Sequence, residues 1–386
     1  MVICYMKNRI VTLYPYSPTF THEYRVTNLV YYLSRMFDTE PAFLMTNRFI
    51  PIKAYLRFEL EKSFFLLRST QHMYKNILWL AAHSPFSPLV KIVKKFKRSN
   101  LGISIFDFFD DDYLNSRRYG ESYCPENKDE YYNALKTLFD TSLTLFIHEG
   151  HKNFYENEGL VIGDNLILPN ASDPNLFKNS PLPPEKVVGH IGSFKSMEAA
   201  KSRGLFLLLD AFEFVQKEYT DAKLLLAGAF GNDVKALVKK RISGWKTEIY
   251  WERIPNYWVP EVFAKCYLFV RPTLQLRVDV KKDSKLMGSA SGLDAAASAR
   301  PVVATNQNAI INDNGYLCEP EPKDMAEKIC RLLSDRALAS KLAQRGRKAI
   351  EQEHNWENRA RVLYDYLVTN YDLERPDKIL RRQPGE

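Results

Sequence analysis

The stretch Gly292-Leu-Asp-Ala-Ala-Ala-Ser-Ala-Arg-Pro-Val-Val-Ala-Thr305 decides the fold of this chain. Its small residues at 293–299 predict a helix, and Arg300-Pro301 marks the end of that helix. The apolar run 301–305 is typical of a buried strand. The carboxylate of Asp294 is predicted at the helix start, where unpaired N–H groups and a partial positive charge suit an anion or a sugar hydroxyl. The alternative is an ordinary helix-to-strand turn of an α/β domain.

The composition is that of a folded protein with room for two domains. The chain has 386 residues, of which 45% are hydrophobic and 26% are charged, and this excludes a disordered chain. No apolar run reaches the roughly 18 residues of a membrane-spanning helix, and the first residues lack the order of a signal peptide. The five cysteines are scattered without CxxC spacing. We therefore expect a cytoplasmic protein without a metal site.

Positive charge is concentrated in the first hundred residues. Much of it lies in the amphipathic segment 91–98, which begins at Lys91 and ends at Arg98. Two interpretations stay open, a solvated helix face and a surface that attracts anionic lipid headgroups. A nucleic-acid partner is not expected, because no nucleic-acid motif accompanies the segment. The lipid interpretation predicts a peripheral protein at the inner face of the plasma membrane.

Strands and helices alternate along two halves of the chain. The predicted domains are 1–172, a proline-rich linker at 173–184, 185–355, and a terminal helix with a basic tail at 356–386. The terminal helix is a candidate to cross back to the first domain. Such alternation predicts an α/β fold of two doubly wound, Rossmann-like domains that face each other across a cleft. Ligands in such sheets bind beyond the carboxyl ends of the strands.

Short motifs of the second half occur in the order of one known family. They are Ile167-Leu-Pro-Asn-Ala-Ser-Asp-Pro-Asn-Leu-Phe177, Gly189-His-Ile-Gly-Ser-Phe194 with Arg203-Gly204-Leu205, Leu224-Leu-Leu-Ala-Gly228, Tyr267-Leu-Phe-Val-Arg-Pro-Thr273, Asp294-Ala-Ala-Ala-Ser-Ala-Arg-Pro-Val-Val303, Asn314-Gly-Tyr-Leu-Cys-Glu-Pro320 and Asn355-Trp356. Through them the chain resembles the retaining GT-B glycosyltransferases of family 4, the glycosyl transferases group 1. The resemblance is good over residues 165–371 and thin before them.

The resemblance implies a hexosyl- or related glycosyltransferase. Its first domain would bind the acceptor, and its second domain would bind a nucleotide-diphosphate sugar as co-substrate. No tightly bound cofactor or metal is implied, so the leaving diphosphate needs cationic and backbone donors.

Two cations are candidates for the diphosphate site. Arg203 aligns with the family lysine that precedes a glycine, and its guanidinium can grip phosphate through two N–H donors. The family arginine after the strand glycine is replaced by Ser193, and Lys195 is the candidate substitute. For both cations the alternative is ordinary surface charge.

The family's two glutamates are altered in this chain. Asp294 aligns with the second glutamate, which is expected to hold the ribose hydroxyls, and a plain helix N-cap is the alternative. Leu286 stands in place of the first glutamate and has no acceptor atom. Asp283 in the same loop, like Asp279, is a candidate replacement at the donor sugar.

The remaining site predictions come from strand ends and their loops. His83 follows a strand of the first domain and resembles the histidine that many members carry near the donor sugar, although a structural histidine is equally expected. His83 and Asp283 are the catalytic candidates, and His148-Glu149 is a further acid/base pair to consider. The predicted donor-binding set is Gly192, Ser193, Lys195, Arg203, Gly228, Arg253, Ile254, Gly292, Leu293 and Asp294.

The rival functions differ in how well the sequence fits them. A dinucleotide-dependent dehydrogenase is excluded, because neither half has a GxGxxG turn after its first strand. A nucleotide-sugar epimerase and a catalytically degenerate scaffold that binds nucleotide or a partner subunit stay open, since Leu286 and a missing Gly-Gly loop depart from the family pattern. The sequence thus predicts sugar transfer from a UDP or GDP donor to a glycan, lipid-linked or other glycoconjugate acceptor, as in polysaccharide biosynthesis.

Overall fold

The computed structural model describes residues 6–14, 24–37, 42–45, 74–82, 100–106, 128–141, 143–255, 258–274 and 290–371. The strands in these ranges are β1 (Met6–Tyr14), β2 (Ala42–Met45), β3 (Tyr74–Ala82), β4 (Asn100–Phe106), β5 (Leu143–Phe146), β6 (Asn165–Ile167), β7 (Val187–Phe194), β8 (Lys223–Phe230), β9 (Thr247–Tyr250), β10 (Leu268–Arg271), β11 (Val302–Ala304) and β12 (Gly315–Leu317). The helices are α1 (Tyr24–Met36), α2 (Lys128–Thr141), α3 (Glu149–Asn157), α4 (Met197–Ser202), α5 (Leu205–Glu218), α6 (Asn232–Arg241), α7 (Val259–Lys265), α8 (Ala290–Ala297), α9 (Pro322–Ser334), α10 (Arg336–Gln352) and α11 (Trp356–Asn370).

The chain divides into two compact units. One consists of Met1–Leu168 together with Glu357–Glu386, and the other of Pro169–Trp356. The helix α11 therefore belongs, from Glu357 onward, to the unit that contains the beginning of the chain. Residues 173–184, predicted as a linker, lie inside the second unit.

The first unit is built on a parallel sheet in the order β2-β1-β3-β4-β5-β6. Aromatic side chains fill its described core, where the Phe139 and Tyr155 ring centroids are 5.6 Å apart. The helix α11 packs onto this unit, and Tyr364 contacts Phe37 with ring centroids 4.6 Å apart. The hydroxyl of Tyr366 donates to the carboxylate of Asp164.

The second unit has a parallel sheet in the order β12-β11-β10-β7-β8-β9. The Leu224–Leu226 run of β8 in this sheet is apolar and fully buried. The apolar helix α5 packs against α9 and joins the same core. The order of strands reverses between β10 and β7, which is the switch point beside which doubly wound sheets bind ligands. The predicted α/β class with two doubly wound parallel sheets is confirmed.

Two buried arginines attach the predicted linker segment to the second unit. Arg300 is fully buried and donates to the carbonyl oxygen of Ser180 at 3.0 Å and to its hydroxyl at 2.6 Å. Arg347 donates to the carbonyl oxygen of Phe177. Burying a guanidinium is tolerated only when its donors are satisfied, so these bonds fix residues 173–184 in place.

The helix that opens the deciding stretch begins earlier than predicted. Within the described residues α8 starts at Ala290, whereas the sequence predicts a start at Leu293. Asp294 therefore lies inside the helix, and both its predicted place at the helix start and its interpretation as an N-cap are wrong. Small and polar residues such as Ser291 and Gly292 have low helix propensity, and for this reason the pattern underestimates the helix.

Several predictions lie outside the described residues. They concern the catalytic candidates His83 and Asp283, the residues Asp279 and Leu286, and the basic segment 91–98. Among the helices that the structure does describe, none has the length and apolar character to cross a membrane.

Candidate functional site

Two predicted glycines meet at the carboxyl edge of the second sheet. Gly192 in β7 and Gly228 in β8 are register partners. Gly228 has a φ of 147°, and a Cβ on this residue would lie 1.6 Å from the carbonyl oxygen of Gly192. No side chain fits there, so glycine is required for the two backbones to approach. The edge thereby presents bare backbone at the place where such sheets bind ligands.

The end of β7 carries the next two predicted residues. The sequence places the strand end at Gly192, but the strand continues to the buried Phe194. Ser193 is half-buried within it, and Lys195 follows as an exposed residue. Ser196 then caps α4 by accepting a hydrogen bond from the Ala199 N–H at 3.1 Å. Ser193 and Lys195 therefore both stand at the carboxyl edge.

Arg203 stands between α4 and α5 at the same edge. Its N–H donates to the carbonyl oxygen of Ala199 at 3.1 Å and closes α4. The next residue, Gly204, has a φ of 72°, and a Cβ on it would lie 1.6 Å from the carbonyl oxygen of Pro272. This contact places the half-buried Arg203 beside the segment that follows β10. In the described part of the chain, the Arg203 guanidinium has no carboxylate partner.

A second arginine lies beside it that the sequence analysis missed. Arg271 is the last residue of β10 and is half-buried. Burial, and secondly the charge of Arg203, lower the pKa of its guanidinium to about 10. The signal in the sequence was an arginine at the end of an apolar strand, within the quoted Tyr267–Thr273 motif. By itself that pattern indicates only a buried strand.

His190 in β7 lies in the electrostatic field of the Arg271 and Arg203 guanidinium groups. Its ring is fully buried, and Nδ1 donates to the carbonyl oxygen of Val270 at 2.9 Å, since a carbonyl only accepts. Burial first, and then the charges of Arg271 and Arg203, lower its pKa to about 3. The ring is therefore neutral at physiological pH, with an unprotonated Nε2 that has no partner among the described residues.

Asp294 in α8 accepts a hydrogen bond from a hydroxyl. The Ser172 hydroxyl donates to Asp294 Oδ1 at 2.7 Å. Burial of the carboxylate raises its pKa to about 7, and the bond from Ser172 opposes this rise. Ser172 is itself held by its backbone, because its N–H donates to the carbonyl oxygen of His354 at 3.0 Å. Asp294 is thus a half-buried acid, poised between its two protonation states, with one oxygen engaged by a hydroxyl.

The other predicted donor-site residues differ in the solvent exposure of their side chains. Arg253 follows β9 and is exposed, whereas Ile254 is buried. Gly292 and Leu293 are buried in α8, and a Cβ on Gly292 would come within 2.8 Å of the Ala309 carbonyl oxygen. Packing against Ala309 therefore explains the glycine. The Leu293 side chain belongs to the protein core.

His148, the candidate partner of Glu149 in an acid/base pair, is held in place as a helix cap. It is the N-cap of α3, and its Nδ1 accepts a hydrogen bond from the Gly150 N–H at 2.8 Å. Burial lowers its pKa, which keeps the ring unprotonated and able to accept. Glu149 is exposed in the first turn of the helix. In the described ranges, no three His, Cys, Asp or Glu side chains are grouped in a way that suits a metal ion.

Comparison with solved structures relates this architecture to known proteins. Sucrose-phosphate synthase from Thermosynechococcus elongatus aligns with a TM-score of 0.67 at 14% identity, over 95% of this chain and 100% of that one. HepE from Anabaena, solved with UDP and glucose, aligns with a TM-score of 0.65 at 15% identity, over 94% and 99%. WaaG, a glycosyltransferase involved in lipopolysaccharide biosynthesis, aligns with a TM-score of 0.59 at 12% identity, over 93% and 99%. The fold is therefore the GT-B fold of glycosyltransferases.

The family comparison makes the assignment more specific. Residues 185–335, within the second unit, match the family model described as Glycosyl transferases group 1. No curated protein matches the sequence. The resemblance drawn from the motifs is thus confirmed for residues 185–335. These residues thus form a glycosyl transferases group 1 domain.

Proposed function

We propose that the chain transfers a sugar from a nucleoside-diphosphate donor to a glycan, lipid-linked or other glycoconjugate acceptor. The transfer proceeds with retention and without a metal ion. The observation that carries this proposal is the carboxyl edge of the second sheet, where Gly192 and Gly228 leave bare backbone and the contact of Gly204 with Pro272 places Arg203 at the end of β10. A guanidinium and backbone N–H donors are the groups that stabilise a leaving diphosphate when no metal ion does so.

The carboxylate of Asp294 is the proposed ribose ligand. In the structure its Oδ1 accepts a hydrogen bond from the Ser172 hydroxyl, so the carboxylate already acts as an acceptor for one hydroxyl of the protein. A carboxylate offers about four lone-pair sites, so it can accept from the two vicinal hydroxyls of a ribose. Only the ionised carboxylate is a full acceptor for both hydroxyls, because the protonated acid must donate at one oxygen. The raised pKa of about 7 makes the ionised fraction depend on pH near neutrality.

The identity of the nucleotide is proposed as UDP first and GDP second. HepE from Anabaena was solved with UDP and glucose, and its fold and length agree with those of this chain. Among the donor-site candidates, Arg253 and Ile254 follow β9 and are the side chains that we assign to the nucleotide. His83 and Asp283 stay our catalytic candidates at the donor sugar.

Docking of the chain at an anionic membrane surface is proposed through the basic segment 91–98. The support is its sequence, since basic residues that alternate with apolar ones bind anionic headgroups with about 1 kcal/mol each. Sedimentation with phosphatidylserine vesicles, against phosphatidylcholine vesicles as the control, tests this. Equal sedimentation with both kinds of vesicle would contradict it.

Calorimetric titration of the full chain with UDP, GDP and ADP tests the donor site. We expect saturable binding of one nucleotide, with an affinity reduced about tenfold or more by Asp294→Ala and by Arg203→Ala. The matched controls are Asp233→Ala and Arg345→Ala, which remove exposed charges from α6 and α10. Absence of binding by all three nucleotides, from protein with a cooperative thermal transition, would contradict the proposal.

Turnover separates transfer from the degenerate scaffold and the epimerase. Leu286 in place of a glutamate is the observation that keeps both alternatives in play. We expect the nucleotide-sugar that binds to lose its sugar slowly to water and faster to an acceptor, with the anomeric configuration kept, as read by proton NMR. Binding without turnover supports the scaffold, and a new epimeric donor supports the epimerase.

A further inference from the structure

Two guanidinium groups share the carboxyl edge of the second sheet. Arg271 ends β10, and Arg203 lies between α4 and α5. Their chain segments touch at two places: Gly204 approaches the carbonyl oxygen of Pro272, and the Leu274 N–H donates to the carbonyl oxygen of Ser202 at 2.9 Å. Arg203 lies between the contacting residues Ser202 and Gly204 on one segment. Arg271 directly precedes Pro272 on the other.

Neither guanidinium is neutralised by the described protein. Over the described ranges, neither Arg203 nor Arg271 forms an ion pair or donates a side-chain hydrogen bond. Two like charges near each other repel, and partial burial makes that repulsion stronger than in water. Nearby, the Thr273 hydroxyl is buried without a described partner. An unmatched buried polar group needs an explanation, and completion by a ligand is one that also explains the two unpaired guanidinium groups.

The neighbouring histidine does not reduce this charge. The neutral ring of His190 is oriented by its bond to the Val270 carbonyl, so it neither adds a cation nor supplies an anion. The ligand that fits between the two arginines must therefore bring negative charge of its own. A single carboxylate would balance one guanidinium, whereas a diphosphate would balance both.

We infer that Arg271 is a second diphosphate-binding residue, which acts together with Arg203 on the donor. This inference rests on the proposed function and names a residue that the sequence analysis did not assign to the site. Each guanidinium can bind phosphate oxygens through two N–H donors. When the sugar leaves, the bond between its anomeric carbon and the phosphate oxygen breaks, and its electron pair stays on the diphosphate. Arg271 stabilises that added charge.

Nucleotide titrations of Arg271→Met test the inference. The probes are the nucleoside diphosphate that the wild-type chain binds best among UDP, GDP and ADP, the corresponding monophosphate, and the nucleoside. We expect Arg271→Met to weaken the diphosphate about 10- to 100-fold, the monophosphate less, and the nucleoside hardly at all. Arg271→Lys, which keeps a charge without the planar fork, should fall between. Arg345→Met on the exposed face of α10 is the matched control and should leave all three affinities unchanged.

Thermal unfolding without nucleotide excludes a merely structural role. Because Arg271 is an unpaired, half-buried charge, its replacement by Met should leave the melting temperature equal or higher. Its contribution should instead appear as a smaller rise of that temperature on addition of the diphosphate. A large drop of the melting temperature without ligand in Arg271→Met would overturn the inference.

The outcomes also separate this inference from the proposed function. If the wild-type chain binds a nucleoside diphosphate and Arg271→Met binds it equally well, the inference fails and the proposed function stands. Equal weakening of nucleoside and diphosphate would likewise overturn it, because the lost contact would then not be to phosphate. If the folded wild-type chain binds no nucleoside diphosphate, both fail.

Discussion

The raised pKa of Asp294 allows its proposed contact with the ribose to be tested by varying the pH. Its carboxylate has a pKa of about 7 because of burial, and the Ser172 hydroxyl bond opposes this rise. A ligand hydroxyl that donates to the carboxylate stabilises the ionised form. The proposed contact of Asp294 with the ribose is therefore expected to be strongest above this pKa and to weaken as the acid becomes protonated below it.

We accordingly predict that nucleotide affinity rises between pH 6 and pH 8. Asp294→Asn, which cannot ionise, should bind more weakly at pH 8 and should lose the part of this rise that the carboxylate supplies. Titration calorimetry measures the nucleotide affinity of both proteins at several pH values. Because the nucleotide's own phosphate titrates equally with both proteins, its contribution cancels when the two affinities are compared at each pH. Parallel pH profiles for the two proteins would show that Asp294 does not contact the ligand.

Gly228 offers a second prediction at the residue scale. We expect Gly228→Ala to destabilise the second unit by about 3 kcal/mol or more, because the new Cβ would collide with the Gly192 carbonyl oxygen. Gly244 is the matched control, since it also has a positive φ, of 87°, but a Cβ on it meets nothing within 4 Å. Gly244→Ala should lose only about 1 kcal/mol. Urea unfolding measures both, and equal losses would contradict the predicted role of the close approach.

The arginines show what sequence patterns cannot reveal about a site. Arg203 was predicted from an aligned motif that places a cation before a glycine. Arg271 occupies the end of a strand, where the surrounding pattern predicts burial and gives no reason to expect a charge. Its significance comes from the contact of Pro272 with Gly204, which joins segments far apart in the sequence.

At the scale of elements, a histidine defines the start of α3. His148 accepts the Gly150 N–H at its unprotonated Nδ1, and burial lowers its pKa below the ordinary value of 6.5. Because the folded pKa is the lower one, the unfolded chain takes up the proton first as the pH falls below about 6.5. The stability that the cap contributes is thus present above that pH and lost below it.

We predict that α3 loses about 1 kcal/mol of local stability between pH 7 and pH 5. Hydrogen exchange of the amides in Glu149–Asn157 measures this. His148→Asn keeps an N-cap acceptor that does not titrate, so in this variant the pH dependence should disappear while protection at pH 7 is kept. A pH dependence that persists in His148→Asn would show that another group causes it.

Elements were predictable where apolar periodicity was long. The apolar patterns predict strands at 9–14, 76–82, 186–191, 222–227 and 267–272, and β1, β3, β7, β8 and β10 match them to within three positions at each end. They also predict helices at 204–216, 322–333 and 336–352, with which α5, α9 and α10 agree to within two positions, and helices at 24–36 and 356–370, which are the bounds of α1 and α11. The short helices α3, α4, α6 and α7 were missed. They are short or carry few apolar residues, and α6 buries only Val234 and Val238, so capping and tertiary packing decide them.

The segment 173–184 shows a different limit of sequence patterns. Its prolines and polar residues are typical of a linker. Arg300 and Arg347 nevertheless hold its carbonyl groups within the second unit. Arg300 and Arg347 lie more than a hundred residues away in the sequence, so no local pattern predicts these hydrogen bonds.

At the scale of the whole molecule, α11 contributes to the unit that contains the start of the chain. We predict that Leu363→Ala destabilises this first unit by about 2–5 kcal/mol, because Leu363 is fully buried. The matched control is Val362→Ala in the same helix, whose side chain is 46% exposed and should lose less than about 1 kcal/mol.

Hydrogen exchange shows which unit responds. In Leu363→Ala, protection should fall in β5 and β6 and should be kept in β7 and β8. Uniform loss across both sheets would indicate that the units unfold together, and loss confined to β7 and β8 would contradict the assignment of α11 to the first unit.

The return of α11 to the first unit has a consequence for the nascent chain. The second unit ends at Trp356, and its two ends meet where Ser172 pairs with Asn355. The first unit cannot be completed before α11 is synthesised, and the ribosome makes α11 only after the entire second unit. At translation rates of about 5–20 residues per second, synthesis of the second unit delays α11 by roughly 10–40 s. During synthesis, the unit encoded later is thus the first that can fold completely, and the earlier one is finished last.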